Sequence, residues 1–500
     1  MYLNLFTTIT VFALQTVINF FLTPYILRVL GDEAYGFLAL ANSFVNYGFI
    51  LTLVINSVAS RFIASAYHKG NFTKASKFYS SVLMANLIFS VIVAFISLIF
   101  LLKIQSIINI SDALLNDVRA TMAIYFINFS IGLFNAIFSV HAFIKNQMYL
   151  ISIRNAISTT IYAGCVLWLF WAFEAMIYYT AIAALISSIF VFFSALVLNR
   201  KFRLNLIFSP KYFRINFIKV LARSGLFNSL NMLSQVLLSG ASLLLVNIFI
   251  NALSMGTLAI SRSVIMIVES FVITTAVAWD PRLVQIHANA KPLKDEAILA
   301  IKSVSFIALP LIATFGVLAD EFYRLWLPFK SSDEIDYIYE LVLISLLPSI
   351  IFASSRPLIS TYLITDRLKR PALVTLFMAV CVFCVQIIGL AFFNFGLKEI
   401  VMTITIGISL KITLFDVANA GVNLGLKFST FYPIYFKSLG VFVLIIAIIY
   451  PFSNILNISN WLEFLIYAVA ISTLGYLIAF MIIFTKEQRA IFIGKIRGRF

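Results

Sequence analysis

Apolar runs of twenty or so residues, each closed by a short polar interruption, follow one another from end to end of this chain. At 1.5 Å of rise per residue, a helix of that length crosses ~30 Å of hydrocarbon. The runs do not alternate apolar with polar residues, as the strands of a membrane barrel would. Dividing them at their polar interruptions predicts helices near 5–27, 36–59, 80–102, 118–141, 149–171, 175–198, 224–246, 257–279, 298–319, 337–362, 372–393, 399–421, 436–456 and 461–484. The connections near Glu174 and Asn251 are the least marked, because each barely separates two helices from one long hairpin. The pattern is that of an all-α polytopic membrane protein with about fourteen transmembrane helices.

Composition sharpens this picture. Of 500 residues, 62% are hydrophobic and 11% charged, against about a quarter charged in a soluble chain. The opening MYLNLFTTITVFALQ has no basic n-region and no small-residue cleavage site after it, so a retained first helix is expected. Cys381 and Cys384 share one helix face in CVFC and read as packing residues. His68, His141 and His287 fall at helix ends or in loops without clustered metal-ligand partners, and no glycine-rich phosphate loop occurs. No metal, cofactor or catalytic residue is expected. Transport by such a chain draws on an ion gradient, a substrate gradient or the membrane potential.

Charge gives the orientation. With both termini in the cytoplasm, the outer loops hold only Arg28, Lys103, Arg119, Arg324, Lys330 and Lys398 of the 36 Lys and Arg residues, the bias that sets membrane topology. The net charge of +16 is then a topology signal, and no nucleic-acid partner is implied. The longest inner connection, NRKFRLNLIFSPKYFRINFIKVLARSG (199–225), interleaves cations with Phe, Tyr, Ile and Leu. It reads either as a segment lying on anionic headgroups or as a basic loop obeying the orientation rule.

That connection divides two similar halves. A shift of 220 residues sets Gln15 on Gln235, Gly36 on Gly256, Ser43 on Ser263 and Lys74 on Lys294. The order helix, short turn with glycine, helix, basic loop recurs without gaps. An even number of helices separates the copies, so both enter the membrane the same way round, as parallel repeats. The expected organisation is an N-terminal lobe over 1–198, the basic connection 199–223, a C-terminal lobe over 224–421, two trailing helices over 436–484 and a basic tail over 485–500.

Five charges read as embedded in the membrane: Arg262, Glu269, Arg356, Lys411 and Asp416. A cation at a helix centre costs roughly 2.5–3.5 kcal/mol on insertion scales. Arg262 and Glu269, seven residues apart, share a helix face but stand ~10.5 Å apart along the axis, while Lys411 and Asp416 lie ~140° apart on an ideal α-helix. Self-pairing within a helix is therefore not expected, and two readings stay open. Either the charges pair between helices and fix packing, or they line a hydrated cavity in which an excess of cations meets an anionic substrate. The first half offers neutral polar positions instead, among them Gln15, Asn19 and Asn42, and Pro24 is a candidate kink in the first helix.

TPYILRVLGDEAYGFLALANSFVNY (23–47) and SVASRFIASAYHKGNFTKASKF (57–78) resemble the first outer turn and next inner loop of the polysaccharide exporters. Together with the helix plan, they make the chain similar to the Wzx-type lipid-linked oligosaccharide flippases of the multidrug/oligosaccharidyl-lipid/polysaccharide exporter superfamily. The resemblance implies a bacterial inner-membrane protein that turns over an undecaprenyl-diphosphate-linked repeat unit for surface polysaccharide such as O-antigen or capsule. It also implies alternating access with proton or sodium coupling, and a polysaccharide polymerase and chain-length regulator as partners besides membrane lipid. Lipid II flippases are similar in plan but use first-lobe arginines, whereas the deep charges expected here lie in the second lobe.

On this reading Arg262, Arg356 and Lys411 hold the diphosphate, since guanidinium forks and an ammonium suit phosphate. Glu269 and Asp416 are the coupling-ion or charge-balance candidates. Gln15, Asn19, Asn42 and Gln235 are candidates for sugar contact. Two rivals remain: a multidrug or cation antiporter of the same fold, which would want an acidic cavity, and a polymerase or membrane glycosyltransferase, which would want a large catalytic outer loop. The largest acidic outer segment, residues 320–340, is short for that.

Overall fold

In hydrocarbon a backbone N–H or C=O has no water to bond, so the chain satisfies its polar groups within each segment, and the helix does this residue by residue. The computed structural model describes residues 2–145, 147–202, 206–289, 292–365, 367–453 and 458–490. Among these no strand occurs. The long helices of the first half are α1 (Tyr2–Leu30), α2 (Asp32–His68), α3 (Phe72–Leu102), α4 (Leu115–Phe138), α5 (Met148–Ala172), α6 (Ile177–Phe202) and α7 (Ile215–Gln235). Those of the second half are α8 (Ala252–Val277), α9 (Lys294–Val317), α10 (Ser332–Ile364), α11 (Lys369–Phe392), α12 (Leu397–Leu410), α13 (Tyr432–Ser453) and α14 (Trp461–Ile483). A short helix, Val140–Ile144, continues α4. Single π-turns, Val236–Gly240 and Lys411–Asp416, prolong α7 and α12 into the helical stretches Ala241–Phe249 and Val417–Asn423.

Thirteen of the described spans are long and apolar enough to cross a membrane, and α2 makes a fourteenth if its two parts, bent by 61° between Ile50 and Thr52, count as one. The predicted helices thus all appear, with bounds that shift by up to nine residues, most at Asp32–His68, Phe72–Leu102 and Ile215–Phe249. Both doubtful connections separate true helices, and each break has a cap. At the first, the Asp117 carboxylate accepts the N–H groups of Ile177 (2.6 Å) and Tyr178 (2.7 Å), the free donors at the start of α6. At the second, the Asn251 amide oxygen accepts the Ser254 N–H at 2.7 Å. Where proline removes a donor inside α10, another helix compensates. Pro348 cannot bond the Ile344 carbonyl, and the Thr405 hydroxyl donates to that oxygen at 3.1 Å.

The chain forms two compact units, Met1–Ala259 and Ile260–Phe500. The first therefore runs on past the basic connection, through α7 and into the start of α8. The reason is close backbone approach. A Cβ on Gly225 of α7 would overlap the Val54 carbonyl oxygen of α2, and one on Gly36 would come within 2.8 Å of the Gly256 backbone nitrogen. Gly36 and Gly256, the pair set on one another by the 220-residue shift, are thus in mutual backbone contact. The core of this unit at the α2–α3 end gathers Ile55, Phe78, Val82, Ile137 and Leu221.

In the second unit the trailing helices are packed against α9. Val317, Ile445, Ile449 and Ile471 share a core, and the Tyr476 hydroxyl donates to the Ile307 carbonyl at 2.9 Å. A second core joins Ile351, Leu358 and Tyr362 of α10 to Ile412, Val417, Phe431 and Tyr435. Residues 491–500 of the expected basic tail lie outside the described residues.

The α2–α7 contact is testable. Gly225→Ala should lower the melting temperature of the purified protein by several degrees, since overpacking a tight contact costs about 1–3 kcal/mol. Gly164→Ala, whose Cβ meets nothing within 4 Å, should leave it unchanged or raise it, because alanine is the better helix former. Fluorescence-detected thermal melting in detergent compares the two.

Candidate functional site: paired charges inside the second unit

The five charges singled out from the sequence all lie in the second unit, and the geometry of Lys411 and Asp416 corrects the expectation for them. On a regular α-helix they would point apart. Residues 411–416 instead form a π-turn, in which hydrogen bonds run from i to i+5, so a residue and the fifth after it stack one turn apart. Lys411 Nζ lies 2.7 Å from Asp416 Oδ2, with the lysine side chain 16% and the aspartate 1% exposed. The pair is formed within one helix and largely out of contact with solvent. Asp416 Oδ1 is buried without a hydrogen-bond partner.

Tyrosines hold the turn in place. The Tyr362 hydroxyl of α10 donates to the Asp416 carbonyl at 2.7 Å, and the Tyr432 hydroxyl of α13 donates to the Thr413 carbonyl at 2.7 Å. The Tyr435 hydroxyl shares a 2.7 Å bond with Thr413 Oγ1. A π-turn disturbs the regular carbonyl ladder, and these hydroxyls reach the carbonyls where it occurs. None of the three tyrosines was identified from the sequence, because α10 and α13 meet the turn only through tertiary packing.

Arg356 stands on α10, one residue before Pro357, with its guanidinium carbon 5.7 Å from the Phe352 ring centroid. It makes no ion pair among the described residues, and its Nη1 is buried without a hydrogen-bond partner. The charge that acts on it is Asp280, just beyond α8, and one oxygen of that carboxylate is itself buried and unpartnered. Arg262 and Glu269 occupy one face of α8 and act on each other electrostatically. With Asp280 included, each of the three cations singled out from the sequence has a carboxylate acting on it: Glu269 on Arg262, Asp280 on Arg356 and Asp416 on Lys411. The expected surplus of cations is therefore absent from this set. Sequence reading missed Asp280 because it falls just past the predicted end of its helix.

The first unit corrects a second expectation, that its embedded positions are all neutral. Arg154 is buried in α5, six residues after the Met148 start, and was not singled out from the sequence although it lies as deep in its predicted helix as Arg262 does. Its nitrogens reach only Ser139 Oγ (3.5 Å) and Asn155 Oδ1 (3.4 Å). Among the sugar-contact candidates, Gln15 Nε2 donates to Thr159 Oγ1 at 3.1 Å, and Asn42 Nδ2 donates to the Leu38 carbonyl of its own helix at 3.1 Å. Asn19, Asn42 and Gln235 are exposed, and Gln235 immediately precedes the π-turn of α7. Pro24 lies inside α1, while the 61° bend belongs to α2.

Near the Gly31 turn, Glu33, Gln105, Asn109, Ser111 and Asn251 line a cavity of about 450 Å³. Asn109 of its lining is fixed by Asn247, the Asn109 N–H donating to Asn247 Oδ1 at 2.9 Å and Asn247 Nδ2 to the Asn109 carbonyl at 3.0 Å.

The acidic segment 320–340 of the second unit is engaged in ion pairs. Arg324 holds both Asp320 (2.9 Å) and Asp336 (2.5 Å), which keeps its guanidinium above the ordinary range, and Lys330 reaches Glu334 at 3.3 Å. Burial raises the Glu321 carboxyl above the usual carboxylate range.

Comparison with known proteins places the fold. The MatE family matches residues 8–147, which cover α1 to α4. The uncharacterized membrane protein EpsK of Bacillus subtilis (strain 168) is 26% identical over 99% of this chain and 98% of its own length. Among solved structures, the lipid II flippase MurJ in an inward closed conformation superposes with a TM-score of 0.72 at 16% identity, over 96% of this chain and 98% of its own. An inward-facing multidrug resistance MATE transporter gives 0.65 at 14% identity, over 84% of this chain and 98% of its own. A MOP superfamily transporter from Pyrococcus furiosus gives 0.64 at 14% identity, over 84% and 94%. The chain has the fold of the MOP superfamily transporters, built as a multi-pass membrane protein.

The buried pair makes a sharp prediction. Lys411→Met alone should destabilise the protein by about 3–5 kcal/mol, because it leaves Asp416 buried and uncompensated, whereas Lys411→Met with Asp416→Leu should recover most of that loss. A double-mutant cycle on thermal melting measures the coupling, and additive losses would contradict the pairing.

Proposed function

We propose that this protein is a flippase that carries an anionic lipid-linked oligosaccharide, of the undecaprenyl-diphosphate type, across a bacterial inner membrane for surface polysaccharide assembly. The observation that carries the reading is Arg356, a cation inside the second unit with a buried Nη1 that has no partner. A guanidinium in that condition gains from a phosphate oxygen more than from any neutral group, because charge-assisted bonds in a low dielectric are the strong ones. Arg262 is the second phosphate contact. Lys411 contributes only when its ammonium leaves Asp416, so it is a conditional ligand and not a standing one.

The extent of the structural likeness supports a lipid-linked substrate over a drug. The lipid II flippase fold covers 96% of the chain and the multidrug transporter 84%, a difference about the size of the trailing helices α13 and α14 with the terminal tail. A cation antiporter would want an acidic site, and here the carboxylates are matched one to one by Arg and Lys. Asp320, Glu334 and Asp336 of segment 320–340 are held in ion pairs, and the segment is short for the catalytic outer loop that a glycosyltransferase would want.

On this reading transport proceeds by alternating access with both termini in the cytoplasm. Glu269 and Asp416 are the coupling-ion or charge-balance groups for a proton or sodium ion. Gln15, Asn19, Asn42 and Gln235 meet sugar hydroxyls, and Pro24 eases bending of α1. A polysaccharide polymerase and a chain-length regulator receive the product.

The test is Arg356→Gln, with Arg262→Ala beside it, in the native host. Export should fall at least ~10-fold, the loss of one charged hydrogen bond worth ~1.5–3 kcal/mol, at unchanged protein level. Lipid-linked repeat units should accumulate on the inner leaflet, as read by mass spectrometry of extracted lipids. Normal surface polysaccharide in both variants would refute the assignment, and altered drug susceptibility without lipid accumulation would favour the antiporter.

A further inference from the structure

The connection between α6 and α7 is the longest that the charge rule assigns to the cytoplasm. Residues 199–225 contain seven cations and no Asp or Glu. Free loops of this composition are usually loose. This one is laced to α3 by three buried serines.

The N–H groups of Ile207, Ser209 and Arg214 donate to Ser76 Oγ, Ser80 Oγ and Ser81 Oγ respectively, each at 3.1 Å. In return Ser80 Oγ donates to the Ile207 carbonyl at 3.1 Å and Ser81 Oγ to the Arg214 carbonyl at 3.5 Å. A short turn at Pro210–Tyr212 bridges the two anchored stretches. The serines stand four to nine residues into α3, ~6–14 Å along it from the Phe72 start. Non-helical backbone against a helix keeps one shape only where its buried polar groups find partners in the protein. The serines do that work.

What the lacing leaves outward is of one kind. Ile207, Phe208 and Ile215 are 59%, 50% and 54% exposed, and Lys201, Lys211, Arg214 and Lys219 are exposed beside them. Among the described residues none of these four cations has an acidic side chain within 4.0 Å. Arg214 Nη1 bonds only the carbonyls of Lys211 (3.1 Å) and Phe213 (2.8 Å), which points its fork along the strap and leaves further donors for another acceptor.

We propose that this serine-laced strap is a seat for anionic phospholipid: its apolar side chains enter the acyl boundary while Lys211, Arg214 and Lys219 bind the phosphate-bearing headgroups above them. Apolar anchors combined with cations are the recognised composition of a membrane-surface element. The lacing adds something a basic loop obeying the orientation rule lacks, which is a fixed spacing of those cations before lipid arrives. The partner is lipid rather than an acidic protein, because exposed apolar residues stand among the cations beside the start of α3, a helix long and apolar enough to cross a membrane.

The experiment uses the full chain in nanodiscs of phosphatidylcholine with increasing phosphatidylglycerol. Native mass spectrometry counts the phosphatidylglycerol molecules retained, and thermal melting follows stability. Wild-type protein should retain phosphatidylglycerol preferentially and melt higher as its fraction rises. Lys211→Gln with Arg214→Gln and Lys219→Gln should cut that preference at least ~10-fold, given roughly 1 kcal/mol per basic residue near an anionic surface.

Ser80→Ala with Ser81→Ala keeps every charge but loosens the strap, and should lower the preference by a smaller factor. An unchanged preference in the charge variant overturns the proposal, as does a wild-type protein that retains the two lipids equally or that binds soluble polyglutamate in place of lipid. Lys211→Gln alone serves if the triple variant does not fold. None of these readouts depends on which substrate the protein transports.

Discussion

Every irregular feature of this molecule answers one constraint: backbone polar groups at membrane depth must find partners within the protein. Long helices meet it over most of the chain, and the departures from helix are where side chains take over. Asp117 receives the first N–H groups of α6. Thr405 supplies the donor that Pro348 lacks. Tyr362 and Tyr432 bond the carbonyls of the π-turn in α12, and Ser76, Ser80 and Ser81 do the same for the strap. These residues are hydroxyls and carboxylates on neighbouring helices, so each also fixes how two segments pack.

Charges follow the same logic with larger energies. Removing an ion from water into a low-dielectric interior costs several kcal/mol unless a partner compensates it. The π-turn lets Lys411 and Asp416 compensate one another inside a single helix, at the expense of a regular hydrogen-bond ladder. Arg356 is balanced more loosely, through space, by Asp280. The tight pair is a structural element unless something displaces it, while the loosely balanced Arg356 retains the capacity to bind an anion. That difference, and not the number of cations, ranks Arg356 first as a phosphate contact.

Likeness to a lipid II flippase and to multidrug transporters at 14–16% identity shows that the architecture tolerates almost complete replacement of side chains. The backbone contacts that the fold needs are few and specific, such as Gly225 against Val54 and Gly36 against Gly256. What the molecule carries is decided by the side chains placed on that frame. Here these include matched acid–base partners in the second unit and a buried arginine, Arg154, in the first.

Helix number and membrane residence were legible in the sequence, because a run of some twenty apolar residues has one stable solution in hydrocarbon; helix limits were not, since polar turns such as 72–79 and 215–223 extend the helices beyond the apolar runs. The presence of buried charges was legible too, for Arg262, Glu269, Arg356, Lys411 and Asp416 interrupt such runs. Their pairing was not. It depends on a π-turn that rotates Asp416 under Lys411, on Asp280 lying just past a helix end, and on tyrosines from helices distant in the chain. The extent of the first compact unit was likewise hidden, since it rests on two helices touching at glycine. Periodicity along one chain reports which face of a helix is apolar; only the packed structure decides what each polar atom on that face meets.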